Sequence, residues 1–500
     1  MHKYFMGIDN GGTSCKAVIF NELGVEIAKS SRLLEMITPC SHHTERDMDL
    51  LWSKNIECIK EVIKKSEIDP KYIKGVACSG HGKGLYLWSK DNKPLRNGIV
   101  STDGRANNIV KQWKKENKDK IIYNKNYQNI LACQPVALLK WLKENEADNY
   151  NNIKWVFEVK DYIRFRLTGK AYAEITDYSG SNLLDLSTKK YSKELLNIFD
   201  ITEMYDCLPP LKKSTDICGY ITHEVSTLTS LPEGTPVAGG MFDIDACSIA
   251  MNVVDSNYLC CIAGTWSINE YIAEEPVKNH SIMMNSLYCM DDYYLIEESS
   301  ATSAGNLEWF INQFMSDKKV ELSGNQNIYE YCDKLVEAVD PGKQNIIFLP
   351  FIYGSNYNAA SKASFIGLDS HNTFADIVRA VFEGIVFCHM VHIEKLLKNK
   401  KDFKAIRLAG GAANSKVWTQ IFADVTGYPI EVVKVKELGA LGCAMVASVA
   451  SGEYGDIKTA SHKMTSFDKT IYPNKKNKQI YNSKFELYKK FYNTLEQFWV

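Results

Sequence analysis

The sequence predicts an α/β protein made of two domains of similar design around a cleft. Three observations carry this. The chain has 500 residues, more than one core accommodates, and at about 150 residues per domain it divides into two to four. Helical and strand patterns alternate along most of its length. A strand, a Gly-Thr turn and a second strand occur twice, with Gly12-Thr13 and Gly264-Thr265 lying 252 positions apart, half the chain.

Taken in order, residues 4–8, 16–20 and 25–29 read as strands joined by a glycine turn and an Asn-Glu-Leu-Gly reversal, an antiparallel meander. After Asp47, an N-cap residue type, Met48, Leu51, Trp52, Ile56, Ile59, Val62 and Ile63 line one helical face, and a strand follows at 73–78. The turn cluster 231–236 feeds the last strand of the first half, and the boundary falls near 243–251. The expected domains are therefore 1–247 and 248–500. In the second, 257–262 and 267–272 are strands, 377–391 is a buried helix, 405–409 a strand, and 417–425 a helix ending near Gly427. Phe485, Tyr488, Phe491, Tyr492, Leu495 and Phe498 recur at helical spacing and are expected to pack in the core.

Composition narrows the ligand. The 59 basic and 60 acidic side chains leave a net charge of −1, and neither sign dominates a long stretch, so neither nucleic acid nor an anionic membrane is an expected partner. A small molecule is. The 14 cysteines form no CxxC pair and lie largely in apolar runs, which fits a reducing compartment. An acidic residue, Asp9, interrupts the N-terminus before a signal core could form, and no run of eighteen apolar residues follows. A cytoplasmic location is expected.

Asp9-Asn10-Gly11-Gly12-Thr13 places a carboxylate at a strand end, two glycines that let backbone N–H groups approach an anion, and a hydroxyl. An acid beside phosphate calls for a cation between them, so Asp9 implies Mg²⁺; an ordinary Asp-Asn-Gly hairpin turn is the competing reading. Gly264 and Thr265 repeat the turn without the acid, as expected of a second contact to one phosphate tail. Gly410, Gly411 and Asn414 lie in a run of small and polar residues between a strand and a helix, where a flat adenosine ring fits against the backbone. The loop Gly80-His81-Gly82-Lys83-Gly84 matches neither glycine-rich nucleotide motif. His81 and Lys83, with Asp103 and Arg105 flanking Gly104, offer donors and an acceptor to a polyol, against the alternative of solvated surface turns. Phosphoryl transfer to an alcohol also needs a carboxylate to take the hydroxyl proton. Asp243, after Gly239-Gly240, is the first choice and Asp245 the second; a helix N-cap is the competing role.

These pieces, in this order, resemble the FGGY carbohydrate kinases, from Met6 to about Gly452. The segment from Ala363 to Leu368, then Asp376 to Glu383 after seven residues, fits the family's second signature at every defined position. In the first signature Pro135 and Trp141 are in place, while Leu138 stands where the pattern has Lys. The segments 79–85, 101–106, 264–266 and 303–310 are most similar to the branch of L-xylulose and 3-keto-L-gulonate kinases. The resemblance implies two actin-like (ribonuclease H-like) ATPase domains with ATP and a ketose in the cleft. It implies Asp9 on metal, Gly11, Gly12, Thr13, Gly264 and Thr265 on phosphate, and Gly410, Gly411 and Asn414 on the nucleoside. It further implies Asp243 as general base, with His81, Lys83, Asp103 and Arg105 around the sugar. Lys16 stands where several relatives have Arg, keeping the charge but losing the planar fork. D-xylulose, ribulose and tetritols stay open as substrates, and an internally duplicated chain is compatible with a homodimer. A chaperone- or actin-type ATPase is the rival class; it has no need of the sugar loops. A sugar-sensing regulator has no DNA-binding motif to support it.

Overall fold

A computed structural model describes residues 2–322, 327–355, 360–400 and 402–499. The chain forms two compact units interleaved along the sequence. One comprises Met1–Val254, Ile272–Ile296 and Val435–Ser466; the other comprises Asp255–Tyr271, Glu297–Lys434 and Phe467–Val500.

In the first unit the meander is present as Tyr4–Asn10, Ser14–Asn21 and Glu26–Leu33, with Gly24 at φ +73° in the reversal. The strand Ile73–Gly80 pairs parallel to Tyr4–Asn10, and the short strand Met241–Phe242 pairs parallel to Ile73–Gly80. The register sets Asp9 beside Ser79, and Ser79 beside Met241. Three loops therefore leave the carboxyl ends of parallel strands side by side, the position at which open α/β sheets bind ligands. Met48–Ser66 is a 19-residue helix whose buried face includes Leu51, Trp52, Ile59, Val62 and Ile63; Asp47 caps it by accepting from Leu50 N–H.

The helix Leu438–Ala450 has no polar face and is buried along nearly all its length. It lies on the strands Tyr4–Asn10 and Ile73–Gly80 through glycine contacts. A Cβ at Gly7 would stand 1.9 Å from the Ala440 carbonyl oxygen, and one at Gly75 2.8 Å from that of Ala447. Backbones approach this closely only where no side chain intervenes. A second apolar cluster of this unit, including Leu85, Ile99, Val136, Leu138, Leu139 and Tyr178, supports the loops that carry residues 81–105.

The second unit has its own sheet. Tyr258–Ala263 forms a hairpin with Ser267–Ala273 and runs parallel to Ala405–Gly410, followed by Ile430–Val433 and Phe467–Ile471. The buried helix covers Phe374–Leu397, longer than its apolar run, because a Thr373–Asp376 capping box starts it ahead of that run. Ser415 caps Lys416–Thr426, which ends on Gly427 at φ +77°. Lys478–Glu496 buries Phe485 and Tyr488. The expectation that Phe498 packs in the core is corrected: it lies beyond this helix and is 68% exposed.

Candidate active site

Asp9 ends its strand with Oδ1 accepting from Ser79 Oγ at 2.8 Å. Gly439 lies against the same carboxylate: a Cβ there would be 2.8 Å from Oδ2. Desolvation raises the Asp9 pKa, with Ser79 and Lys16 opposing. In the turn that follows, Gly11 N–H donates to Ser14 O at 3.0 Å. Arg46, buried, donates through Nη2 to the Gly12 carbonyl at 2.5 Å and through Nη1 to that of Gly11 at 3.4 Å. A Cβ at Gly12 would meet nothing within 4 Å. Thr13 anchors the turn by accepting Leu34 N–H through its carbonyl at 2.9 Å. The Lys16 ammonium sits 2.8 Å from Glu437 Oε2, whose other oxygen is 3.1 Å from Lys29 Nζ. Desolvation works against the charged form of Lys16, but Glu437 more than offsets it and holds the pKa above its ordinary value.

Asp243 is the first residue of the helix Asp243–Ala250. Its side chain is not the cap, since Phe242 holds that position and no side chain bonds there. Gly240, at φ +80°, brings the preceding turn onto the sheet; a Cβ would stand 1.9 Å from the Cys78 carbonyl oxygen. Phe242 N–H donates to Thr176 Oγ1 at 2.9 Å, which ties this turn to the helix Ile175–Ser179. Desolvation, then the negative charges of Asp9 and Asp177, push the Asp243 pKa well above the usual carboxylate range, while Lys83 opposes. Asp243 is partly exposed, whereas Asp245 is fully buried and its Oδ1 accepts from Cys289 N–H at 3.2 Å.

The loop 80–84 joins two strands and is not a solvated turn. His81 is buried, with Nε2 3.0 Å from Tyr86 Oη, and burial pushes its pKa down to about 3, so the ring is neutral. Lys83 has φ +67°, uncommon for a residue with a side chain. Its N–H donates to Glu158 Oε2 at 3.0 Å, and its Nζ stands 5.3 Å from the centre of the Phe242 ring. Gly82 must be glycine, since a Cβ would reach 2.4 Å from the Phe242 ring and 2.8 Å from Asp177 Oδ1. Asp177 is buried, with its Oδ2 3.1 Å from Lys160 Nζ. Asp103 and Arg105 are buried and bond each other: Nε to Oδ1 and Nη2 to Oδ2, both 2.9 Å. Glu45 accepts from Arg105 Nη2 at 2.7 Å, and Thr44 N–H donates to Asp103 at 2.7 Å. Arg105 Nη1 has no partner among the described residues.

The second unit places its residues at one sheet end. Ala263 pairs with Gly410, so the turn Gly264-Thr265 and the turn Gly410-Gly411 emerge together. Gly410 has φ +85°, and a Cβ would stand 2.4 Å from the Ala263 carbonyl oxygen. At Gly264 a Cβ would meet nothing within 4 Å. A Cβ at Gly305 would lie 3.7 Å from Thr265 Cγ2, and one at Gly411 3.9 Å from Ala304 Cβ, so the segment 304–305 closes the side of both turns. Asn414 ends a short 3₁₀ turn, Gly411–Asn414, and is exposed.

Sequence reasoning missed Arg46, Glu158, Asp177 and Ser79. Ser79, at the head of the segment 79–85, and Asp177, in Thr176-Asp177-Tyr178-Ser179, carried a sequence signal, since both segments are similar to the family's. Among the described residues no three His, Cys, Asp or Glu side chains gather as a metal cage, and no helix is long and apolar enough to cross a membrane.

Two α/β units, each with glycine turns at the carboxyl ends of parallel strands and one with paired acids beside them, define a nucleotide-using phosphotransferase. The FGGY family of carbohydrate kinases matches through its N-terminal domain over residues 4–250 and its C-terminal domain over 259–451. The chain belongs to this family and is a sugar kinase that uses ATP. It is 36% identical over 498 residues to a probable L-xylulose kinase of Haemophilus influenzae, covering 99% of each chain. It is 33% identical over 500 residues to the L-xylulose/3-keto-L-gulonate kinase of Escherichia coli, covering 100% of this chain and 98% of that one. Among solved structures, a gluconate kinase of Lactobacillus acidophilus superposes with a TM-score of 0.90 at 26% identity, covering 100% and 99%. A ligand-bound xylulose kinase from the same organism superposes at 0.89 and 26%, covering 99% and 98%.

Proposed function

We propose that the chain transfers the γ-phosphoryl group of ATP to a terminal hydroxyl of a ketose, with L-xylulose or 3-keto-L-gulonate as substrate. The observation that carries the substrate is the full-length identity of 33–36% to kinases named for these sugars, against 26% to a xylulose kinase of Bacillus subtilis. The fold does not select the sugar, since chains named for gluconate and xylulose superpose on it equally well.

Asp243 acts as the base. It takes the hydroxyl proton as the new O–P bond forms and the bond from the γ-phosphorus to its bridging oxygen breaks, releasing ADP. Its raised pKa makes it a stronger proton acceptor than an ordinary carboxylate, and its partial exposure favours it over the buried Asp245. Gly11, Gly12, Thr13 and Lys16 in the first unit, and Gly264 and Thr265 in the second, are the residues assigned to phosphate, with Gly410, Gly411 and Asn414 assigned to the nucleoside. The open space over Gly12 and Gly264 supports this, because neither position needs glycine for the protein's own packing. Lys16 exchanges Glu437 for phosphate when the nucleotide binds. Asp9 is the residue to hold Mg²⁺, a lone carboxylate being the usual protein share when phosphate oxygens complete the shell. Held by Asp9, Mg²⁺ would supply charge neutralisation for the phosphoryl group.

His81, Lys83, Asp103 and Arg105 form the sugar side. The pairing of Asp103 with Arg105 leaves Nη1 of Arg105 to meet a substrate oxygen, and the neutral His81 contributes without a charge. We place the reaction in the cytoplasm, in keeping with fourteen free thiols. The test is ADP release with MgATP and a panel of L-xylulose, 3-keto-L-gulonate, D-xylulose, ribulose and tetritols. The expected result is the highest kcat/KM on one of the first two. A higher value on any other member rejects the substrate assignment, and sugar-independent hydrolysis alone rejects Asp243 as base to a sugar.

A further inference from the structure

The second unit buries a histidine that the proposed chemistry does not use. His389 lies in the helix Phe374–Leu397 and has no exposed surface. Its ring meets four segments. Nδ1 is 2.8 Å from Asn269 Oδ1 and 3.0 Å from Ser267 Oγ, both on the strand that leaves the Gly264-Thr265 turn, and 3.3 Å from Cys261 Sγ on the strand that enters it. Nε2 is 2.8 Å from Ser303 Oγ, and the ring edge faces Phe422 at 5.3 Å.

The hydrogen-bond directions follow by elimination. Asn269 Nδ2 donates to the Glu298 carbonyl and to Ser267 Oγ, which fixes the amide with Oδ1 toward the imidazole. An amide oxygen only accepts, so Nδ1 of His389 carries the proton and Nε2 does not. Ser303 must therefore donate to Nε2. Burial pushes the His389 pKa down to about 3, so the ring keeps one proton through the physiological range.

Both ends of this chain of bonds reach the walls of the same turn. Ser267 lies two residues after Thr265, and Ser303 directly precedes Ala304-Gly305, the pair that lies against Gly411 and Thr265. We propose that His389 is a positioning residue for the triphosphate turn, holding the strand after Thr265 and the segment 303–305 at a fixed separation through Asn269, Ser267 and Ser303. This rests on the reading of Gly264-Thr265 as a phosphate contact. A histidine that merely filled the core would also have its ring nitrogens satisfied, but its loss would affect all ligands alike.

The test uses the full-length enzyme with steady-state kinetics against ATP and against sugar, and calorimetric titration with ADP. Ser303→Ala and His389→Leu each remove the link and are expected to raise KM for ATP about tenfold, the usual size of a lost buried hydrogen bond, with KM for sugar unchanged. His389→Gln, whose Oε1 can accept from Ser303, is expected to recover most of the ATP affinity. Adding Ser303→Ala to His389→Leu is expected to cost nothing further. Unchanged KM for ATP in folded Ser303→Ala, or a parallel rise in both KM values, overturns the proposal. If His389→Leu does not fold, Ser303→Ala and His389→Gln decide it. Thr265→Ala separates the two readings. A rise in KM for ATP there with none in Ser303→Ala removes only the role of His389, whereas no change in Thr265→Ala removes the phosphate turn and the proposal with it.

Discussion

Replacing Gly264 by alanine separates what the protein needs from what its nucleotide needs. The added methyl meets no protein atom within 4 Å, and the backbone there is outside the left-handed region. Alanine loses less chain entropy on folding than glycine at such a position, so the variant should be more stable by about 0.4–1 kcal/mol. A nucleotide bound at this turn, as proposed above, meets the opposite effect. A phosphate oxygen bonded to a backbone N–H sits about 2.9 Å from the nitrogen, and a methyl on the adjacent carbon forces it away. Losing one charge-assisted bond costs about 1.5–3 kcal/mol, a rise of roughly tenfold to a hundredfold in KM for ATP. Gly410→Ala is the control, since φ +85° and a 2.4 Å approach to the Ala263 carbonyl oxygen put the need for glycine inside the protein. That variant should lose at least about 1–3 kcal/mol of stability. The assays are thermal unfolding and coupled ADP release with saturating ketose. A stable Gly264→Ala enzyme with unchanged KM for ATP would refute the argument.

Asp243→Asn should lower kcat by about two orders of magnitude or more and also make the protein more stable at neutral pH. The raised pKa means that the folded state holds the Asp243 proton more tightly than the unfolded chain, so ionisation penalises the fold. That penalty grows as pH rises from the ordinary carboxylate value of 3.8 through the raised folded value, and vanishes below 3.8. Melting curves of both proteins from about pH 4 to about pH 8 should converge at the acidic end; a gap independent of pH would contradict it. Lys83→Met should cost 3-keto-L-gulonate more kcat/KM than L-xylulose, because only the former carries a carboxylate for the ammonium. Equal losses on the two sugars would place Lys83 against a hydroxyl instead.

Local signals made the framework legible. The meander, the Gly-Thr turns and the strand 258–263 follow from alternation and turn chemistry, which act over a few residues. Helix bounds were less so: the start of Phe374–Leu397 is set by Thr373 and Asp376, outside the apolar run that announces the helix. Asp103 and Arg105 show a different limit. Two opposite charges around one glycine have the same spacing whether or not they also bond each other, and here they bond each other while Glu45 accepts from Arg105. Arg46 supports the turn at Gly11 and Gly12 from a two-residue strand with no motif of its own. The Lys16–Glu437 pair joins residues 421 positions apart, a distance over which no periodicity speaks.

The helix that presses Gly439 against Asp9 also sets a timetable for biosynthesis. The strands it covers are translated within the first 80 residues, yet their covering segment ends at Ser466. Once Val254 has been made, about 200 more residues must be added, roughly 10–40 s at ordinary ribosome speed. Throughout that interval the nascent sheet exposes a glycine-floored apolar strip, a natural substrate for holding chaperones, and a transcript truncated before codon 435 would yield an unfinished first unit.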